Sequence, residues 1–288
     1  MGYVFGLASA VCFASGSILF KIGQRSRPND DGHLLANLMN TAIFGLIALF
    51  VTWQPWSTSG FLALVAGGIA GTVFGRFSML RGIRLVGPTR ANTFQTATPV
   101  SAAVAGWIAL GQNVELLEAI GGAVTIFGLV RIIRSRGDGS GFDGVTFRHY
   151  VIASGAPLFF GIAFVLRKWG LDRLPGSVTG AFIGSAAGFL LLMLWEGGHG
   201  RLGHFVRRTV AHPPWHFLAA GVITSAALLT QFRSLELIDA WIVGILGGTT
   251  AIWTPILSAS FLREERLSLD LLANIALVFT GVAIIAIV

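Results

Sequence analysis

Cysteine and charge are both scarce in this chain, and each scarcity excludes something. The single cysteine, Cys12, rules out an internal disulfide framework and a cysteine-built zinc site. Charged residues make up 11% against 54% hydrophobic, which leaves little sequence for a water-soluble domain. Met1 and Gly2 carry no basic side chain and the first apolar run outlasts a signal core, so that run is expected to stay in the mature protein. No stretch alternates apolar and polar residues in the short segments a membrane barrel needs. No Asp or Glu stands in the middle of an apolar stretch: Glu115, Glu118, Glu196, Glu236 and Asp239 all lie near ends, so a buried proton-relay carboxylate is missing. His199, His204, His212 and His216 gather between two apolar runs, but no spacing puts two on one helical face beside a carboxylate, and no metal site is expected. A nucleophile and base pair, a nucleotide loop and a soluble catalytic domain are likewise missing, so the chain is not expected to be an enzyme or to carry a cofactor.

What is there is apolar length. A helix needs roughly 20 apolar residues to cross the hydrocarbon layer. Ten such stretches fill the chain: Tyr3 to Gly23, His33 to Thr52, Gly60 to Leu80, Pro88 to Leu110, Leu116 to Arg134, His149 to Lys168, Ser177 to Trp195, Trp215 to Leu235, Ala240 to Leu262 and Leu269 to Ile287. Backbone groups in lipid must bond within their own segment, so the expected fold is an all-α integral membrane protein of ten transmembrane helices. The net charge of +7 would suggest nucleic acid in a soluble protein. Here the arginines cluster at span ends, where they meet lipid headgroups, so the bilayer is the expected partner and nucleic acid is not. Trp53, Trp56, Trp195 and Trp215 at span ends read as interface anchors.

The chain also matches itself. In one register Tyr3-Val4 falls on Tyr150-Val151, Phe13 on Phe160, Lys21 on Lys168 and Gly23 on Gly170, pairing the first and sixth spans. In a second, Arg81 falls on Arg233, Leu85 on Leu237, Thr98 on Thr250, Leu110 on Leu262, Leu117 on Leu269 and Phe127 on Phe279, pairing spans three to five with eight to ten. Between the copies, RSRGDGSGFDG reads as a solvated linker. The expected organisation is a first repeat over residues 1–134, a linker over 135–147 and a second repeat over 148–288. Five spans per copy force the second copy to enter from the opposite face. The repeats are then inverted about an axis in the membrane plane, the arrangement on which alternating access rests.

The strings LRGIRLVGPTRA and FRSLELIDAWIV join spans three to four and eight to nine. The fourth span carries TATPV, and LGQNVELLEAIGG and LREERLSLDLLANI lead into spans five and ten. In order, spacing and duplication these resemble the drug/metabolite transporter superfamily, in its ten-helix form with two EamA-type units, over essentially the whole chain. The resemblance implies a small-solute carrier of the inner membrane with a central cavity between the repeats. Gln112 departs from the family pattern, which has a glutamate there as the second unit does at Glu264 or Glu265. The superfamily's small multidrug-resistance relatives use a first-helix glutamate that this chain lacks, which argues against cationic-drug export. Lys and Arg concentrate in the connections after odd-numbered spans, which by the positive-inside rule places both termini outside, whereas the resemblance implies cytoplasmic termini; orientation stays open.

Charge inside a span is costly, about 2.5 to 3.5 kcal/mol on insertion scales, and Arg76 lies inside the third. Asn92, Gln95 and Thr96 on the fourth span and Asn37 and Asn40 on the second fall at comparable depth and are expected to ring one cavity. Arg76 maps on Leu228, Asn92 on Gly244 and Gln95 on Gly247 in the repeat register, so the duplicated scaffold does not require them. Snorkelling and interhelical amide bonds are the structural alternative. The glycines of the ninth span before Thr250, with Pro255, mark a weak helix midpoint, as Pro99 does in the fourth; Gln231 and Trp253 are the candidates from the second unit. Gly67, Gly71 and Gly75, and Gly180, Gly184 and Gly188, recur once per turn and are expected to pack helices closely. A guanidinium among amides suits a carboxylate or phosphate. The expected function is a secondary transporter, exporter or exchanger, of a small polar metabolite such as an amino acid or organic anion, working as a monomer or homodimer. Export of cationic or multidrug compounds is the alternative, and a membrane enzyme or partner subunit a lesser one.

Overall fold

The computed structural model describes residues 1–27, 32–52, 56–110, 116–134, 145–200, 203, 207, 209, 214–238, 240–261 and 269–286. Trp53, Gln112, His204, His212, Asp239, Glu264, Glu265 and most of the linker lie outside the described residues. Helices lie along the expected apolar stretches, the second ending at Ala48 short of Thr52, and no strand occurs among the described residues. They are α1 (Gly2–Ser26), α2 (His33–Ala48), α3 (Thr58–Val86), α4 (Pro88–Phe94), α5 (Thr98–Leu110), α6 (Leu116–Arg134), α7 (Phe147–Leu171), α8 (Ser177–Gly198), α9 (Trp215–Leu237), α10 (Ala240–Gly248), α11 (Thr250–Phe261) and α12 (Leu269–Ala286). Six stretches are long and apolar enough to cross a bilayer by length and composition: α1, α3, α7, α8, α9 and Ile242–Phe261. Phe50, Leu194, Phe261, Trp195 and Trp215 are exposed, an apolar exterior suited to acyl chains and the interface.

Local signals set several starts. Ser57 accepts from the Gly60 amide at 3.2 Å to open α3. Thr146 and His149 form a reciprocal capping box at α7.

Helices in lipid gain nothing from burying apolar surface against each other, so association needs close van der Waals fit. Glycine supplies it. Gly67, Gly71, Gly75 and Gly82 of α3 lie against Arg167, Ala163, Phe160 and Ala153 of α7, in antiparallel order. Gly68 meets the backbone of Gly184, and Gly188 meets Thr72, so the second glycine row binds α8 to α3.

The inverted duplication follows from these contacts. On α1 and α9, Gly6 faces Ser234, Gly16 faces Thr224 and Gly23 faces Phe217. Carried through the two sequence registers, these become Ala153 with Gly82, Ala163 with Thr72 and Gly170 with Val65. The structure has Ala153 against Gly82, Ala163 against Gly71 and Gly170 against Leu64, the same to within one residue. Helix contacts repeat under the exchange as well. The α1–α9 pair is matched by α7–α3, α1–α11 by α7–α5, and α2–α9 by α8–α3, while α2–α8 and α6–α12 pair with their own counterparts. Because α3 runs antiparallel to α7, the first helix of the second unit, that unit is upside down relative to the first.

Three helices depart from ideal geometry, all at mid-depth. Ile69–Gly75 of α3 is a π-helical stretch, which widens the turn just before Arg76. The fourth span breaks into α4 and α5 around a 3₁₀ turn at Gln95–Ala97, and the ninth into α10 and α11 at Thr249, which is the register equivalent of Ala97.

Candidate functional site

Where the three irregular segments meet, the helices leave a cavity of about 40 Å³. Its polar lining comprises Thr72, Arg76, Gln95, Thr98, Arg167, Gln231 and Thr250. Phe13, Phe160, Phe164, Met79, Leu228 and the glycines Gly71, Gly244 and Gly247 complete it. Five pairs in this set are repeat equivalents: Phe13 with Phe160, Arg76 with Leu228, Met79 with Gln231, Gln95 with Gly247, and Thr98 with Thr250. The cavity therefore sits on the pseudo-two-fold axis. One threonine pair, Thr98 and Thr250, and one phenylalanine pair, Phe13 and Phe160, are duplicated across it, whereas its cations and amides are not.

Breaking a helix frees carbonyls, and here side chains take them up. Thr98 Oγ1 donates to the Gln95 carbonyl at 2.6 Å, and its equivalent Thr250 donates to the Gly247 carbonyl at 2.5 Å. At the π stretch the Thr72 carbonyl bonds the His33 ring at 2.8 Å and Asn37 Nδ2 at 3.5 Å.

Arg76 is 4% exposed and Arg167 2%. Side chains in a helix lean toward its N-terminus. Arg76 therefore leans from α3 toward Thr72. Arg167 leans back along α7, its Cγ beside Gly67 and its Nη2 beside Gly71. Both arginines line the one cavity from these antiparallel helices. Arg167 donates to Gln231 Oε1 at 3.2 Å and to Thr72 Oγ1 at 3.4 Å, and stacks 5.1 Å from the Phe232 ring centroid. Its Nε is buried without a hydrogen-bond partner. With its amide oxygen turned to the guanidinium, Asn40 accepts from Arg76 Nη1 at 2.8 Å while its nitrogen donates to Ser225 Oγ at 2.7 Å. Among the described residues no carboxylate lines the cavity or pairs with either arginine.

The sequence candidates distribute as follows. Arg76, Gln95 and Gln231 line the cavity. Asn40 holds Arg76 from behind. Asn92 is fully buried, donates to Thr254 Oγ1 at 2.9 Å and accepts from Gln95 Nε2 at 2.7 Å, so it orients Gln95 and ties α4 to α11. Asn37 supports the π stretch, and Thr96 is buried where the 3₁₀ turn meets Gly248 of α10. Trp253 is 39% exposed and lies outside the lining. Arg167, which stands near the end of the sixth apolar run and is not among the sequence candidates, lines the cavity. The rule that helical side chains lean toward the N-terminus was the available signal, because it turns an arginine just before the last turn of α7 inward. No group of His, Cys, Asp or Glu suited to a metal occurs among the described residues.

The EamA-like transporter family model matches residues 1–134 and 148–287, which is nearly all of the chain in two copies. The chain belongs to the EamA-like transporter family. A solved structure described only as the crystal structure of a protein shares the fold, with a TM-score of 0.64 at 17% identity over 98% of this chain and 95% of that one. No curated protein matches the chain. This EamA-like protein is thus a multi-pass membrane transporter of small molecules, built from two repeats around an axial cavity.

Proposed function

We propose that this EamA-like transporter is a secondary carrier of a small polar metabolite bearing a negative group, an organic anion or an amino acid held by its carboxylate. The observation that supports this reading is the pair Arg76 and Arg167 on one buried cavity with no described carboxylate beside them. Guanidinium forks match carboxylate and phosphate oxygens, and Gln95, Thr98 and Thr250 add neutral hydrogen-bonding groups around the same space. A cationic compound would meet two like charges there, so export of cationic drugs is disfavoured on the same observation.

The cavity holds roughly three waters, taking about one probe sphere for each. A metabolite of several heavy atoms then needs the units to part. The arrangement that serves this is rocking of residues 1–134 against 148–288, with the broken spans α4–α5 and α10–α11 as the yielding elements. The inner membrane is the proposed location, and export or exchange the proposed mode. A thermal-shift screen of the detergent-solubilised protein against a metabolite panel tests the substrate class, since a ligand of the folded form raises its melting temperature. Carboxylates and phosphates should stabilise, and Arg76→Ala should abolish both that shift and uptake into proteoliposomes. Stabilisation by cationic compounds alone would refute the reading.

A further inference from the structure

The charge count of the cavity carries more than the sign of its solute. Arg76 and Arg167 bring two positive charges, and every partner the structure gives them is neutral: Asn40 for Arg76, and Gln231, Thr72 and the Phe232 ring for Arg167. Arg167 Nε, buried and without a partner, leaves a donor unused. Both arginines line the same cavity, with Arg167 Nη2 beside Gly71 of α3, so they face a single small space rather than two subsites.

Resting on the anion reading above, we propose that the solute is a compact dianion, a phosphate monoester group or a short dicarboxylate, and that this protein is an obligate exchanger. A sealed chamber holding two uncompensated charges is costly in a low-dielectric interior, because neutral dipoles replace hydration only in part. A dianion cancels both charges, a monoanion cancels one, and an empty site cancels none. The step in which the repeats rock past each other with the cavity closed to both faces is therefore easiest for the dianion-loaded carrier and hardest for the empty one. Each turnover that delivers one dianion must return with another. Dianion for dianion moves no net charge, so the exchange is electroneutral. The lopsided placement of the polar groups fits this reading: Leu228 and Phe20 stand where the repeat would otherwise duplicate Arg76 and Arg167.

The test uses the full chain in proteoliposomes, at a pH where succinate and phosphate are dianions, with labelled succinate or labelled phosphate outside. Vesicles are loaded with unlabelled succinate, phosphate, acetate or chloride. Uptake of at least one labelled dianion into dianion-loaded vesicles should exceed that into acetate- or chloride-loaded ones by about tenfold or more, and should not respond to an imposed potassium diffusion potential. Arg167→Gln should favour labelled acetate over succinate and lose its dependence on the internal anion, while Arg167→Lys, which keeps the charge, should retain exchange. Melting curves of both variants report whether they fold. Equal uptake into chloride-loaded vesicles, or uptake driven by the potential, would overturn the exchange while leaving an anion carrier. Acetate transport by the unaltered protein equal to that of the dianions would overturn the two-charge requirement. No uptake of any anion under any loading would overturn this inference together with the function proposed above.

Discussion

Replacing Asn40 by Asp changes one atom behind the cavity and should silence the carrier without unfolding it. Asn40 faces Arg76 Nη1 at 2.8 Å and is fully buried. Asp is isosteric and would place a carboxylate oxygen at that distance, converting a charge–dipole bond into an ion pair. Ser225 Oγ, 2.7 Å away, can rotate its proton to the new carboxylate, although the amide's second contact at the Gly221 carbonyl is lost. Arg76 then no longer offers an uncompensated charge. At an effective dielectric constant near 20, a unit charge about 4 Å from a guanidinium gains about 4 kcal/mol, so losing half to all of that is about 2–4 kcal/mol. Anion affinity should fall about 30- to 1,000-fold. Titration of the solubilised protein with its stabilising anion, read as melting temperature, gives the affinity, and uptake into proteoliposomes gives the rate. Asn40→Ala is the companion variant: it removes the bond but leaves the charge, and should weaken anion binding far less while lowering the melting temperature. Transport by Asn40→Asp with unchanged affinity would show that Arg76 serves only the packing and that the cavity charge is not what recognises the solute.

Four further outcomes follow from the same geometry. Gln231→Leu removes the bond to Arg167 Nη1 and should cost about 1.5–3 kcal/mol of stability or anion binding, seen as a lower melting temperature that saturating anion partly restores; an unchanged melt would show that the bond contributes nothing. Gly68→Ala drives a methyl into the Gly184 backbone, which cannot give way as a side chain can, and should destabilise by about 1–3 kcal/mol in chemical denaturation, whereas the same change at Gly203, with open space around it, should be neutral. Glu236 accepts from the Gly176 amide at 2.8 Å and from Ser177 Oγ, and pairs with Arg233 at 2.7 Å, so Glu236→Ala should uncap α8 and lower stability by about 1 kcal/mol, checked by melting. In a Cys12→Ser background, Ser57→Cys and Thr146→Cys should label with an impermeant maleimide from opposite faces of the membrane, because α3 and α7 are antiparallel; labelling from one face would refute the inversion.

Most of the architecture was legible in the sequence because it is written in one dimension. Hydropathy marks spans wherever a backbone has to satisfy itself in lipid, and duplication marks equivalent positions wherever two copies share a register. The registers that paired Lys21 with Lys168 and Arg81 with Arg233 also placed Ala153 against Gly82, so self-similarity carried through to helix contacts. The glycine rows were read as packing surfaces on spacing alone, and Gly67, Gly71, Gly184 and Gly188 do lie between helices.

Which polar residues share the cavity was a matter for the tertiary structure. Arg76, Gln95 and Gln231 reach it. Asn92 and Asn40 stand one bond behind, and the difference lies in how each helix is rotated against its neighbours, which residue order does not encode. Arg167 is the sharpest instance. Its place beside Lys168 at the end of an apolar run suggests headgroups, yet antiparallel packing on α3 and the N-terminal lean of helical side chains set its guanidinium beside Gly71, on the cavity that Arg76 also lines. Composition and repeat fixed the scaffold and its inversion, because both depend on local apolar length and on copy-to-copy identity. The charge of the central chamber depends on which side chains from distant segments converge, and only packing in three dimensions decides that.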